Sequence, residues 1–328
     1  MIKLIWRTDV HLSDKTPRRR TGDWTLDVVD KLKWIGKLAQ EVGADLVLDG
    51  GDFFDVKSPT RNSHALVRQA CEAHSNYPCP VYALVGNHDV KYGNIEYLPE
   101  QPLSVLFSSG VFKQFGDNQE VFITDKSGVS LRIVGVPYHG TSYDFERLKS
   151  IQKGPEDYLF VACHLLARKG EGGSMFENED IVGYDLLDSI TDVDCWFFGH
   201  WHKDQGITKL SNGSHVVNVG SLTRGSLHLD DLDRTPCAVE VSVSETDLSI
   251  IRHDVPCRPA TEAFKVEEAI RDKDSKERME TIVEKMKSVA TTGWSSLTLR
   301  ERVMSVSASN GAKECALAYL EQVDKLDL

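Results

Sequence analysis

The chain has no apolar run long enough to cross a bilayer, no Cys-x-x-Cys pair, no internal repeat and no excess of positive charge. A helical span needs about 20 consecutive apolar residues, so a membrane role is not expected. The seven cysteines are scattered and odd in number, which suits free thiols in a reducing compartment. Cys163 and Cys195 sit inside apolar runs and read as small core hydrophobes. The opening MIKLIWRTDVH runs straight into a strand pattern, so no cleavable signal is expected and the location is read as cytoplasmic. Asn212-Gly213-Ser214 is then a hairpin turn rather than a glycosylation site.

The formal net charge of −12 argues against a surface that coats itself in nucleic acid, because phosphate repels acid. Bound divalent cations would reverse that sign locally. One basic stretch, Lys15–Arg20 (KTPRRR), is either a solvated loop or a contact for a phosphate backbone.

What is present is a chain of 328 residues, enough for a large α/β domain with an appendage. Strand patterns at Ile2–Arg7, Asp45–Asp49 and Pro80–Val85 alternate with helix patterns at Trp24–Val42 and Asn62–Ser75. Leu26, Val29, Leu32, Ile35, Leu38 and Ala39 form the apolar face of the first helix. This β-α-β-α-β order predicts parallel strands with right-handed crossovers. Later strands at Glu120–Asp125, Val129–Val136, Tyr158–Cys163, Cys195–Phe198, Gln205–Leu210, Ser214–Val219, Cys237–Val243 and Leu248–Arg252 look richer in hairpins. The fold class expected is α/β, a sandwich of two mixed sheets flanked by helices. A break near Pro256–Thr261 divides residues 1–257 from a mainly helical extension, 258–328, with stripes at Met279–Val289 and Cys315–Val323 suited to packing or to docking a partner. Between two of the later strands, Lys169–Ser174 (KGEGGS) reads as a mobile loop.

Five segments carry the chemistry: Asp9-x-His11, Gly51-Asp52-x-x-Asp55, Gly86-Asn87-His88-Asp89, His164 and Gly199-His200-x-His202. Each follows an apolar, strand-like run, where loops converge at one sheet edge. Five of the 11 histidines fall in these segments; His64, His74, His139, His215, His228 and His253 have no such context. Taken singly each segment is weak, and the conjunction is strong. Phosphodiester hydrolysis needs an activated water, neutralisation of charge at phosphorus and a stabilised leaving oxygen. Two divalent cations roughly 3.5–4 Å apart supply most of this. In extended backbone the i, i+2 pairs Asp9/His11 and His200/His202 would each face one ion. Asp, Asn and His donors without thiolate favour manganese, iron or zinc.

The set resembles the calcineurin-like metallophosphoesterases over about the first 220 residues. The resemblance implies that Asp9, His11, Asp52 and His202 hold one metal and that Asp52, Asn87, His164 and His200 hold the other, with Asp52 bridging. It implies that His88 acts on the leaving group, oriented by Asp55 or Asp89. The flanks GDFFDVKSPTRN, PVYALVGNHD, VGVPYHG and NVGSLTRGSLHLDDLDRTP are similar to the SbcD-type nuclease subunits of DNA repair. That similarity implies two Mn2+ ions, DNA as substrate, a homodimer and an ABC-type coiled-coil ATPase partner. The chain is short for that group, and its capping domain is expected to be reduced or absent. The second reading is a small-molecule or cyclic-nucleotide phosphodiesterase, and a third is a non-catalytic scaffold, which the intact ligand set opposes.

Overall fold

The computed structural model describes residues 1–55, 62–117, 119–170, 178–225, 234–266, 271, 299–305 and 310–323. It separates into two compact units, Met1–Lys265 and Val266–Leu328.

The first unit begins with β1 (Ile2–Arg7), buried on both faces. Ile2, Leu4 and Trp6 point into one apolar cluster and Ile5 into another. Helix α1 (Trp24–Val42) follows, capped at its start by the Asp23 side chain, which accepts from Leu26 N. It stops at Gly43, which is left-handed and returns its N–H to the last turn. Val28, Val29, Leu32, Ile35, Leu38 and Ala39 are its buried apolar face. Leu26, expected on that face, is 55% exposed. Strand β2 (Leu46–Asp49), helix α2 (His64–His74) and strand β3 (Val81–Ala83) complete the alternation. Helix α3 (Pro102–Ser108) and strand β4 (Phe112–Gln114) extend it.

Strands β5 (Val121–Thr124), β6 (Ser130–Val136) and β7 (Tyr158–His164) open the second sheet, with helix α4 (Phe145–Lys149) between the last two. The short pair β8 (Ala167–Arg168) and β9 (Val182–Gly183), helix α5 (Tyr184–Asp188) and strand β10 (Cys195–Gly199) come next. Strands β11 (Gly206–Lys209) and β12 (His215–Asn218) form a hairpin around Asn212-Gly213, with Gly213 at φ 96°. Strands β13 (Cys237–Val243) and β14 (Leu248–Asp254) finish the series.

The two six-stranded sheets run β14-β13-β1-β2-β3-β4 and β11-β12-β10-β7-β6-β5. Both are mixed. The second half of the chain is less antiparallel than its hairpins suggested, since β6, β7, β10 and β12 pair in parallel. Strand β13 returns to the first sheet, antiparallel to β1. Trp6 of the first sheet meets Phe197 of the second, ring centroids 5.1 Å apart, in the cluster that joins the sheets face to face. A second cluster packs α1 and α2 on the outer face of the first sheet, and a third packs α5 on the outer face of the second. Cys163 and Cys195 are buried in these cores, and every cysteine is free.

This unit runs through residues 258–265, where Thr21 N donates to Ala263 O and Phe264 packs against the Arg20 guanidinium. In the second unit, helices span Leu299–Ser305 and Asn310–Val323, and Lys313 Nζ donates to Met304 O. The stripe at Met279–Val289 lies outside the described residues, as does most of the KGEGGS loop. Among the described residues no helix is long and apolar enough to cross a membrane.

Candidate metal centre

Parallel neighbours end on the same side, so the C-terminal ends of β1, β2 and β3 lie together, as do those of β7 and β10. The loops leaving β1 and β2 are laced by backbone bonds: Asp9 N to Gly51 O, His11 N to Asp52 O and Leu12 N to Phe53 O. The centre is assembled where these edges meet.

The residues converge by a route other than extended backbone. Asp9, His11, Asp52 and His200 all have positive φ, at 53°, 51°, 53° and 88°. Such conformations are uncommon outside glycine and cost free energy. The i, i+2 argument from strand geometry therefore fails for Asp9/His11 and His200/His202. Asp9 and His11 still meet in one group, from two left-handed residues, while His200 and His202 fall in different groups. Glycines make the room: Gly51 takes φ 93°, and a Cβ on Gly86 would lie 2.1 Å from Asp52 Oδ1.

Ligand-capable atoms of Asp9, His11, Asp52 and His202 lie within 4.8 Å of one another, and so do those of Asp52, His164 and His200. Asp52 belongs to both groups. In the first, His11 Nε2 and His202 Nε2 are 2.8 Å apart, and His202 Nε2 is 3.6 Å from Asp9 Oδ1. In the second, His164 Nε2 is 3.4 Å from Asp52 Oδ1. The Asn87 amide oxygen is 3.2 Å from His164 Nε2; turned over, the amide would donate to Asp52 Oδ2 at 3.1 Å and to His200 Nδ1 at 3.0 Å. An amide oxygen facing only acceptors is satisfied either by turning the amide over or by a cation between them. Buried carboxylates, imidazoles and an amide crowded this closely form a donor set that fits two divalent ions sharing Asp52.

The far sides of the rings are also held. His164 Nδ1 donates to Gly50 O at 2.7 Å, leaving Nε2 for the centre. Asp9 is anchored by Thr8 Oγ1 at 2.6 Å and by His200 N at 3.1 Å. The field is strongly negative. Burial opposes a proton on His11, but Asp55, Asp52 and Asp9 prevail and push it up to about 9. Burial likewise opposes charge on His164, and Asp52 overrides it, to about 10. His202 goes the other way, down to about 4, through burial and the facing His11. Asp52 stays well below the usual carboxylate range, because His164, His88 and His11 outweigh its burial. A pocket that draws protons onto its own imidazoles is one that would exchange them for metal cations.

His88 belongs to neither of these two groups but lies with His11 and Asp55 in a third, more exposed one. Its N–H donates to Asp52 Oδ1 at 2.7 Å, and its ring Nδ1 meets Asp55 Oδ1 at 2.7 Å. Asp55 also lies 3.6 Å from His11 Nδ1. Asp89, the other candidate to orient His88, instead accepts from Phe54 N and Gly86 N, both at 2.9 Å. Burial, reinforced by the charge of Asp52, raises the Asp89 carboxyl to about 7. Asp89 braces the two motif loops, so of the two carboxylates expected to orient His88 it is Asp55 that does so.

Other expectations change too. Arg20 of the basic stretch is buried, ion-paired with Asp27 and stacked on Trp24 and Phe264, so it is not a phosphate ligand. Lys15 and Arg18 remain exposed. His74, His139 and His253 pair with Arg7, Asp117 and Glu240. None of them joins a metal-capable group among the described residues, and His228 lies outside those residues. Sequence reasoning missed Glu179, whose Oε1 is 2.8 Å from His200 Nε2. It also missed Tyr138, whose ring lies 5.4 Å from that of His200. Glu179 follows no strand-like run; Tyr138 stands just past β6, and its only signal was the VPYHG context.

A family model for calcineurin-like phosphoesterases matches residues 5–204. No curated protein sequence matches the chain. Among solved structures, a dimetal phosphatase from Danio rerio is 12% identical, over 77% of this chain and 96% of that one, with a TM-score of 0.51. The protein TT1561 of Thermus thermophilus is 13% identical over 78% and 99%, with a TM-score of 0.44. At 12% identity the likeness to the first of these speaks to the fold alone.

Proposed function

Since the chain belongs to the calcineurin-like phosphoesterase family, a family of metal-dependent hydrolases of phosphoester bonds, we propose that it is a two-metal phosphodiesterase that cleaves DNA. The observation that carries the two-metal part of the reading is Asp52 shared by two donor groups, with the His88 imidazole beside it and in neither of them.

Asp9, His11, Asp52 and His202 would hold one ion, and Asp52, Asn87, His164 and His200 the other. Manganese suits this donor set. Bound there, two divalent ions would clamp the phosphate, offset its charge and acidify water. The protein's own groups do the rest. Asp55 pins His88 through Nδ1, which leaves Nε2 to offer a proton to the departing oxygen. The ring is 29% exposed, so an incoming ester can reach it.

DNA as substrate rests on the similarity of the flanking segments to SbcD-type subunits, with Lys15 and Arg18 exposed in the loop after the first motif. Tyr92, 79% exposed and four residues past His88, supplies an aromatic face. The same similarity supports a cytoplasmic homodimer working with a coiled-coil ATPase, docked through the region after residue 257. The net charge of −12 favours the second reading, a small-molecule or cyclic-nucleotide phosphodiesterase.

Labelled duplex and single-stranded DNA, incubated with Mn2+ beside bis(p-nitrophenyl) phosphate, separates the two. Cleavage of DNA supports the nuclease. Turnover of the small diester with DNA untouched, in the presence of a coiled-coil ATPase from the same source, establishes the second reading.

A further inference from the structure

We propose that Glu179 is a positioning residue for the metal centre, fixing the tautomer and orientation of His200. The proposal rests on the two-metal reading of the site and names a residue outside the expected ligand set. His200 presents Nδ1 to the centre, 3.0 Å from the Asn87 amide, and turns Nε2 to Glu179 Oε1 at 2.8 Å. The imidazole therefore lies between Glu179 and the donor cluster, and the carboxylate acts through the ring. Both side chains are nearly buried, at 8% and 11% exposure, where an ionic hydrogen bond is strong.

Glu179 is itself held. Tyr143 OH donates to the same Oε1. Its segment is tied to the stretch after β6 by Asp180 N to Thr141 O and by Tyr143 N to Asp180 Oδ2, both at 2.9 Å. That stretch carries Tyr138, which packs against the His200 ring. His200 is thus gripped on a face by Tyr138, at Nε2 by Glu179 and at its backbone by Asp9. With Nε2–H committed to Glu179, the tautomer puts the lone pair on Nδ1, the atom that faces the donor cluster. Without that acceptor the ring can exchange tautomers and rotate, which lowers the fraction ready to ligate. Carboxylates behind metal-binding histidines have this effect generally.

The test is Mn2+ binding followed by electron paramagnetic resonance on the full chain and on Glu179→Ala, Glu179→Gln and Tyr143→Phe. The intact chain should bind two ions. Glu179→Ala should weaken one of them by about 10–100-fold and leave the other unchanged. Gln, whose amide oxygen still accepts from Nε2, should lose less, and Tyr143→Phe should fall between Gln and the intact chain. Imidazole nitrogen shifts of the metal-free protein should show His200 as the Nε2–H tautomer, and Glu179→Ala should mix it. Two ions bound with undiminished affinity by Glu179→Ala would overturn the proposal alone. Equal weakening of both ions in the Ala and Gln variants, with a lowered melting temperature, would make Glu179 merely structural. An intact chain that binds no pair of ions would sink the two-metal reading and this proposal with it.

Discussion

The Arg7 guanidinium meets the Asp49 carboxylate at 2.7 Å, and neither side chain is exposed. Arg7 also donates to Tyr77 Oη and His74 Nε2, both at 2.9 Å, while Asp49 Oδ1 accepts from Gly51 N at 3.2 Å. The pair thus ties the ends of two strands to the glycine turn that delivers Asp52. Removing one partner strands a buried charge. Asp49→Ala should lower stability by about 3–5 kcal/mol, read from urea unfolding. A loss under about 1 kcal/mol, the scale of an exposed pair, would show that water reaches Arg7.

His88 meets the centre through its backbone N–H to Asp52, its ring Nδ1 to Asp55 and its ring edge-on to His11, centroids 4.9 Å apart. His88→Ala should cut turnover about 10²–10⁴-fold while both ions stay bound, since it removes a proton donor and no ligand. Asp55→Asn should give a smaller loss. Metal analysis beside steady-state kinetics checks both, and a His88→Ala protein that loses an ion contradicts the role.

Asp52 belongs to both donor groups, and its Oδ1 also accepts from His88 N. Asp52→Ala should therefore abolish binding of both ions, whereas His202→Ala should weaken one. Calorimetric titration with Mn2+ gives the stoichiometry. Retention of one tight ion by Asp52→Ala would show that the carboxylate does not bridge.

His74 is buried, donates from Nδ1 to Ala70 O and accepts from Arg7 at Nε2, so it is neutral in the fold. Burial, then the charge of Arg7, holds it well below its ordinary value. The unfolded chain binds a proton there once pH falls below about 6.5, and the folded chain does not. This contribution to stability is present above that pH and is lost as pH falls towards the folded value, by up to ~1.4 kcal/mol per pH unit. His74→Gln keeps an acceptor for Arg7 and should flatten that acid limb of the unfolding free energy. An unchanged slope would place the proton uptake elsewhere.

Local pattern made much of this molecule legible. The bounds of β1, α1 and β13 follow from short apolar runs and a 3.6-residue stripe. Those signals are local, so one chain reveals them. The gathering of Asp9, His11, Asp52, Asn87, His164, His200 and His202 was readable because each follows an apolar run, and parallel strands bring such ends to one edge.

Tertiary structure alone decided the rest. It placed Asp55 rather than Asp89 on His88, turned Arg20 inward, set Glu179 behind His200 and sent β13 back to β1. It also gave Asp9, His11, Asp52 and His200 their left-handed turns, strain that only the surrounding loops sustain. Residue types and spacing specify which side chains are available for chemistry. Their aim depends on contacts between residues such as Glu179 and His200, or His11 and His202, that no local period encodes.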